Sequence, residues 1–188
     1  MSSLFLDRDG VINQRIVEGY VTKKENFVLI DGVLEALEIF NSRFDHIFMV
    51  TNQQGIGKGL MSVKDLNEIH EGFMQQVTAA GGRIDKIYFC PSLKTEHSFM
   101  RKPSIGMALQ AKHDYPDIRL KESVMVGDTE SDMLFGRRAG MSTVLVGDSK
   151  SIATNNPFLV DYYYSSLKDF ALSLLLTPPK GGALCDKV

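Results

Sequence analysis

The stretch Leu4-Phe5-Leu6-Asp7-Arg8-Asp9-Gly10 sets the reading of the chain. Three apolar residues run straight into two acids one residue apart and then a glycine. A short apolar run of this kind marks a strand buried on both faces, because a half-exposed strand would alternate with polar residues. The polar end marks where the strand leaves the sheet. The pattern recurs downstream. Ile47-Phe48-Met49-Val50 ends in Thr51-Asn52-Gln53, and Val124-Met125-Val126 ends in Gly127-Asp128-Thr129-Glu130-Ser131-Asp132. Ile84 to Phe89, Thr143 to Val146 and, more weakly, Tyr162 to Tyr164 add further strands.

Between these runs the apolar period changes to that of a helix. Val33, Leu34, Leu37 and Phe40 recur at helical spacing after Asp31-Gly32, as do Leu66, Ile69, Phe73 and Val77 after Ser62. Ser104 to Tyr115, Glu130 to Ala139 and Leu167 to Leu176 complete five expected helices. Strands alternating with helices require crossover connections, hence a parallel sheet covered on both faces: a Rossmann-like, three-layer α/β fold. Some 40 residues separate Gly10 from Thr51, and 47 separate Gln53 from Arg101. Each interval is filled by a crossover helix, so only minimal cap elements are expected. Residues 1–176 read as a single domain. Thr177 to Val188, with Pro178-Pro179 and Gly181-Gly182, read as a mobile tail.

Composition excludes several classes. A chain of 188 residues is about one domain long. Its 44% hydrophobic and 23% charged content is that of a globular protein, not of a collagen-like or disordered one. With 21 basic and 23 acidic residues the formal charge is −2, and no block of five like charges occurs. Nucleic acid is therefore not an expected partner. The longest apolar runs fall far short of the roughly 20 residues of a membrane helix. Met1-Ser2-Ser3-Leu4 lacks the basic start and apolar stretch of a secretory signal, and Cys90 and Cys185 cannot form a disulfide framework, so a reducing cytoplasm is the expected setting.

In an open parallel sheet the binding crevice lies beyond the carboxyl ends of the strands, so the polar strand ends should converge. Arg101-Lys102-Pro103, just before a helix, joins them. Aspartates, a lysine and a threonine in one crevice suit Mg²⁺ and phosphate, since Mg²⁺ prefers one or two carboxylates plus substrate oxygens. Asp7 and Asp128 can supply those carboxylates. Asp7 and Asp9, two apart, can divide the chemistry, Asp7 attacking phosphorus and Asp9 moving the proton. Lys102 and the Thr51 hydroxyl would offset charge on the transferring phosphoryl group. Asp132 reads equally as a first-turn helix residue favoured by the helix dipole or as a holder of Lys102 or of a metal-bound water. Other templates fail. A calcium loop would need a ligand where Val11 stands and glycine where Ile12 stands. Gly55-Ile56-Gly57-Lys58-Gly59 matches neither a dinucleotide fingerprint nor a P-loop and reads as a flexible turn into the next helix. His46, His70, His97 and His113 fall outside the strand-end motifs and read as surface or structural residues, and Cys90 as a buried apolar one.

Asp7-x-Asp9-Gly10, Thr51, Lys102 and Gly127-Asp128 with Asp132, in that order, resemble the four motifs of the haloacid dehalogenase (HAD) superfamily of phosphatases. The resemblance implies an aspartyl-phosphate intermediate on Asp7, Mg²⁺ held by Asp7, Asp9 and Asp128, and Asp132 in support. A narrower set, Asp7 to Asn13, Gly19-Tyr20-Val21, Thr51-Asn52-Gln53 and Arg101-Lys102-Pro103, is similar to the D-glycero-D-manno-heptose-1,7-bisphosphate phosphatases and the related histidinol-phosphate phosphatases. That similarity implies substrate contacts from Arg101, Asn52 and Gln53, a specificity loop containing Glu18, Gly19 and Tyr20, and a small phosphorylated sugar as substrate. Removal of the 7-phosphate from a heptose bisphosphate is the leading expectation, and histidinol phosphate or another small sugar phosphate the runner-up. These relatives typically carry a four-ligand zinc loop. Here it is reduced to Cys90-Pro91-Ser92 and Ser98-Phe99-Met100, with His97 nearby, so no zinc is expected. A binding module retired from catalysis would first lose Asp7, Asp9, Lys102 or Asp128, and all four are present.

Overall fold

Strand β1 (Ser3–Leu6) sends Leu4 and Leu6 to one face of the sheet and Phe5 to the other, and all three are fully buried. Its parallel neighbours, β2 (His46–Asn52) and β4 (Val124–Gly127), do the same: Ile47, Met49, Val124 and Val126 join Leu4 and Leu6, while Phe48, Val50 and Met125 join Phe5. The computed structural model describes residues 2–176, so the tail expected over 177–188 lies outside the described residues. Adding β3 (Lys86–Cys90), β5 (Ser142–Val146) and β6 (Tyr162–Tyr164) gives one six-stranded parallel sheet of order β3-β2-β1-β4-β5-β6. The fold is the Rossmann-like α/β arrangement expected.

Helices α1 (Val33–Asn41), α3 (Val63–Ala79) and α7 (Leu167–Leu175) cover one face, burying Leu37, Phe40, Phe73 and Phe170 against Leu4 and Ile47. Helices α4 (Gly106–Asp114) and α5 (Glu130–Ala139) cover the other, burying Met107, Ala111 and Phe135 against Phe5 and Phe48. Capping explains the starts of three of them, α7 through Ser166 Oγ, which accepts from Asp169 N at 3.0 Å. Ser62 and Asp65 form a reciprocal capping box at α3, and Thr129 and Asp132 form one at α5. Two helical pieces depart from the sequence reading. Gln54–Gly57, expected as a flexible turn, closes one helical turn (α2), and Lys150–Asn155 (α6) forms a short helix that buries none of its residues. Among the described residues no helix is long and apolar enough to cross a membrane.

Because β1 is central and successive strands are added first on its β2 side and then on its β4 side, the strand order reverses between β1 and β4. Crossover helices there leave in opposite directions and open a crevice above the strand ends. Asp7 and Asp128 directly follow those two strands. The segment between β1 and α1 and the loop between β3 and α4 supply the walls.

Candidate active site

The Asp7 backbone N–H donates to Val126 O at 3.0 Å, which extends the β1–β4 pairing one step and fixes the aspartate at the mouth of the sheet. Its buried Oδ1 accepts from Lys102 Nζ at 2.7 Å. The same ammonium donates to Val50 O at 2.8 Å and meets Asp132 Oδ1 at 2.6 Å. Asp132 Oδ2 accepts from the backbone N–H (3.1 Å) and hydroxyl (2.5 Å) of Thr129. Both readings of Asp132 thus coexist: one oxygen caps α5 while the other holds Lys102. Gly10 lets the chain turn over this centre. It has φ +96°, and a Cβ there would collide with the Asp128 carboxylate.

Electrostatics follow from this burial. Desolvation first, then the charge of Asp132, pushes Asp7 up to about 7, while Lys102 pulls it back. Burial alone would lower Lys102, but Asp132 and Asp7 hold it above its ordinary value, so it stays an ammonium ion. Asp128 is likewise raised by burial, against the opposing pull of Arg15.

Asp9 lives in a different environment. Arg8, 1% exposed, grips its carboxylate through Nη2 at 2.8 and 3.0 Å, and Asn13 and Gln53 each donate to it at 3.0 Å. Burial raises Asp9, yet Arg8 and these donors outweigh it and hold the carboxyl below its usual range. Behind Arg8 lie the Phe27 ring, 5.8 Å from the guanidinium carbon, and His70, whose Nε2 is 3.4 Å from Nη1. Burial and the Arg8 charge depress His70 to about 3, so it is neutral.

Carboxylate oxygens of Asp7, Asp128 and Asp132 lie within 4.8 Å of one another, a group able to hold a metal ion. The Asp9 carboxylate stands outside this group. Its backbone carbonyl reaches the same place instead. Arg15 Nη2 stands 2.5 Å from Asp9 O, 2.8 Å from Asp128 Oδ1 and 3.8 Å from Asp7 Oδ2. Three hard oxygens from the ends of β1 and β4 therefore converge on a point occupied by a cationic nitrogen. That donor set suits Mg²⁺.

The crevice above this floor has a volume of about 1110 Å³ and is lined by Glu18, Gly19, Tyr20, Thr51, Asn52, Gln53 and Arg101 as well as the acids. Several expected substrate contacts have partners already. Asn52 accepts from Lys102 N at 3.0 Å and donates to Lys102 O at 3.1 Å, so its amide positions the lysine. Gln53 Nε2 bridges Asp9 and the Thr51 hydroxyl, 2.8 Å from the latter. Arg101 is anchored by one nitrogen on Ser92 O at 3.1 Å. Tyr20 takes a 2.7 Å hydrogen bond from Gln54, and Lys58 lies 5.1 Å above its ring. Lys58, in the glycine-rich turn, faces the crevice; Arg15 and Lys94 also line it and are not marked as site residues in the sequence. They sit in polar loops with no period or motif to mark them.

Residues 99–170 match the HAD-hydrolase-like family model. The D-glycero-alpha-D-manno-heptose-1,7-bisphosphate 7-phosphatase of Burkholderia mallei is 40% identical over 163 residues, 81% of this chain and 84% of that protein. The D-glycero-beta-D-manno-heptose-1,7-bisphosphate 7-phosphatase of Helicobacter pylori is 36% identical over 89% of this chain and 92% of its own length. This chain belongs to the heptose-bisphosphate phosphatase family. Among solved structures, the D,D-heptose 1,7-bisphosphate phosphatase of B. bronchiseptica, complexed with magnesium and phosphate, superposes with a TM-score of 0.84 at 28% identity, covering 94% of this chain and 99% of that one. As a heptose-bisphosphate phosphatase family member the protein is a phosphoric monoester hydrolase of the HAD superfamily. HAD phosphatases use Mg²⁺, in line with the acidic group at the end of β1 and β4.

Cys90 is fully buried at the end of β3 with Sγ 3.9 Å from Ser98 Oγ, and His97 is exposed with φ 49°.

Proposed function

We propose that the protein removes the 7-phosphate from D-glycero-D-manno-heptose 1,7-bisphosphate, with Asp7 as nucleophile. The observation that carries this reading is the division of the two Asp7 oxygens. Oδ1 is fixed by Lys102 in the buried floor, and Oδ2 faces a crevice whose wall also presents Arg101.

Asp7 attacks phosphorus, the bond from phosphorus to the C7 oxygen breaks, and protonated Asp9 gives its proton to the leaving oxygen. Water then attacks the aspartyl phosphate. Its proton passes to the Asp9 carboxylate, and phosphate leaves with Asp7 restored. Arg8, Asn13 and Gln53 favour the anionic form of Asp9, which the second step requires; the same contacts oppose the protonated form used in the first step, so that proton is held weakly and given up readily to the leaving oxygen. Lys102 and Thr51 compensate charge on the transferring group. Mg²⁺, held by the Asp7 and Asp128 carboxylates and the Asp9 carbonyl, supplies further charge neutralisation when bound. Arg101 presents a guanidinium suited to the second phosphate, and the Glu18-Gly19-Tyr20 segment shapes the sugar end of the crevice. The same reading assigns no zinc to the chain, since Cys90 and His97 supply too few ligands, and places the reaction in the cytoplasm.

Phosphate release across heptose 1,7-bisphosphate (both anomers), heptose 7-phosphate, histidinol phosphate, hexose phosphates and a phosphorylated oligonucleotide tests this reading. The highest kcat/KM is expected for a heptose bisphosphate. A preference for histidinol phosphate would replace that substrate, and no release from any compound would make the chain a binding module.

A further inference from the structure

We propose that Arg15 is a tethered counter-ion of the active site, occupying the divalent-cation position when the ion is away and yielding it when the ion binds. The inference rests on the assignment of Mg²⁺ to Asp7, Asp9 and Asp128 made above.

The polar contacts of the Arg15 side chain go to those residues. Nε and Nη2 fork onto Asp128 at 3.3 and 2.8 Å, and Nη2 also donates to the Asp9 carbonyl at 2.5 Å while facing Asp7 Oδ2 at 3.8 Å. A divalent ion bound to these oxygens at roughly 2 Å would need the space that Nη2 fills, so nitrogen and ion exclude each other. Charge makes the exchange favourable. Once all three are ionised, Asp7, Asp128 and Asp132 carry three negative charges, of which Lys102 and Arg15 offset two, whereas Lys102 and a divalent ion offset all three; burial, which raises Asp7 and Asp128, works against that ionisation until the second positive charge arrives.

The two cations differ in freedom to leave. Lys102, 2% exposed, is pinned by Asp7, Asp132 and Val50 O, but Arg15 is 47% exposed on the loop between β1 and α1. On one side of it Gln14 is tied to Val28, and on the other Ile16 to Gly19 are exposed. Withdrawal of the side chain into solvent breaks charge-assisted hydrogen bonds without opening the core. Arg15 therefore keeps the metal-free crevice folded and, by the same contacts, weakens the apparent affinity for the ion.

Two readouts on the full-length, metal-stripped protein test this, both with Mg²⁺ alone and no substrate. In calorimetric titrations Arg15→Gln should bind Mg²⁺ roughly three- to tenfold more tightly than wild type, and Arg15→Lys should fall between them. In thermal denaturation without metal, Arg15→Gln should melt about 2–4 °C lower, and saturating Mg²⁺ should close that gap. Equal or weaker Mg²⁺ binding by a folded Arg15→Gln, or a melting gap that Mg²⁺ leaves open, would overturn the proposal while leaving the metal assignment intact. Absence of Mg²⁺ binding by the wild type itself would overturn the assignment and the proposal together.

Discussion

At the floor of the crevice Lys102 and Asp132, each 2% exposed, stand 2.6 Å apart, whereas at the rim the 47%-exposed Arg15 rests on Asp128 at 2.8 Å. The distances are nearly alike, and the consequences differ. The floor pair cannot separate without leaving charges in a low-dielectric interior, so its geometry is fixed by the fold. The rim pair separates into water at little cost, so it can be exchanged for an ion or a substrate group. Chemistry that needs a fixed nucleophile is built on the floor, and recognition that needs exchange is built on the rim.

The largest expected effect lies on the floor. Asp7→Asn keeps the shape of the side chain but removes the attacking charge, so turnover should fall by about four powers of ten or more with the fold retained, as checked by phosphate release and circular dichroism. Activity near wild type would remove Asp7 from the nucleophile role. Lys102→Ala leaves Asp7 and Asp132 facing each other without a buried cation, and should cost about 3–5 kcal/mol in urea denaturation. A loss below about 1 kcal/mol would show that the floor is as adaptable as the rim.

At the rim the effects are smaller and depend on substrate. Arg101→Ala should lower kcat/KM for the bisphosphate by about 10- to 150-fold, the scale of one charge-assisted contact, and change heptose 7-phosphate little. Equal losses on both substrates would assign Arg101 to the chemistry instead of recognition.

The support of Asp9 can be tested by pH. His70 is held near 3, below the ordinary 6.5, so the folded protein disfavours a proton that the unfolded chain accepts. Its contribution is present above pH 6.5 and is lost as pH falls through the window down to about 3. Between pH 7 and 5 the wild type should lose about 2 kcal/mol of stability that His70→Gln does not lose. Parallel curves for the two proteins would contradict a neutral His70 behind Arg8.

The contrast between floor and rim also explains what could be read from the sequence. Strand ends announce themselves because a buried parallel strand is a continuous apolar run, and Asp7, Thr51 and Asp128 sit where such runs stop. The structure brings these residues together with Lys102 and Asp132. Rim residues carry no such mark. Arg15 is one polar residue in a polar loop, and its role as a partner of Asp128 depends on a contact across 113 positions. The Arg8–His70 contact spans 62 positions and breaks no local pattern. Asn52 and Gln53 follow a strand's apolar run and line the crevice, but which groups their amides bind is set by the path of Lys102 and Asp9. Helix α6 leaves no sign in the sequence for a related reason: it buries none of its residues, so no apolar period marks it.

The central claim is that Asp7 forms a bond to phosphorus. Acid-quenching the protein during turnover of heptose 1,7-bisphosphate and mapping its peptides by mass spectrometry tests this directly. The account predicts one added phosphoryl group on the peptide containing Asp7, absent from Asp7→Asn. An active enzyme whose phosphoryl group appears on another residue, or on none at any quench time, would contradict it.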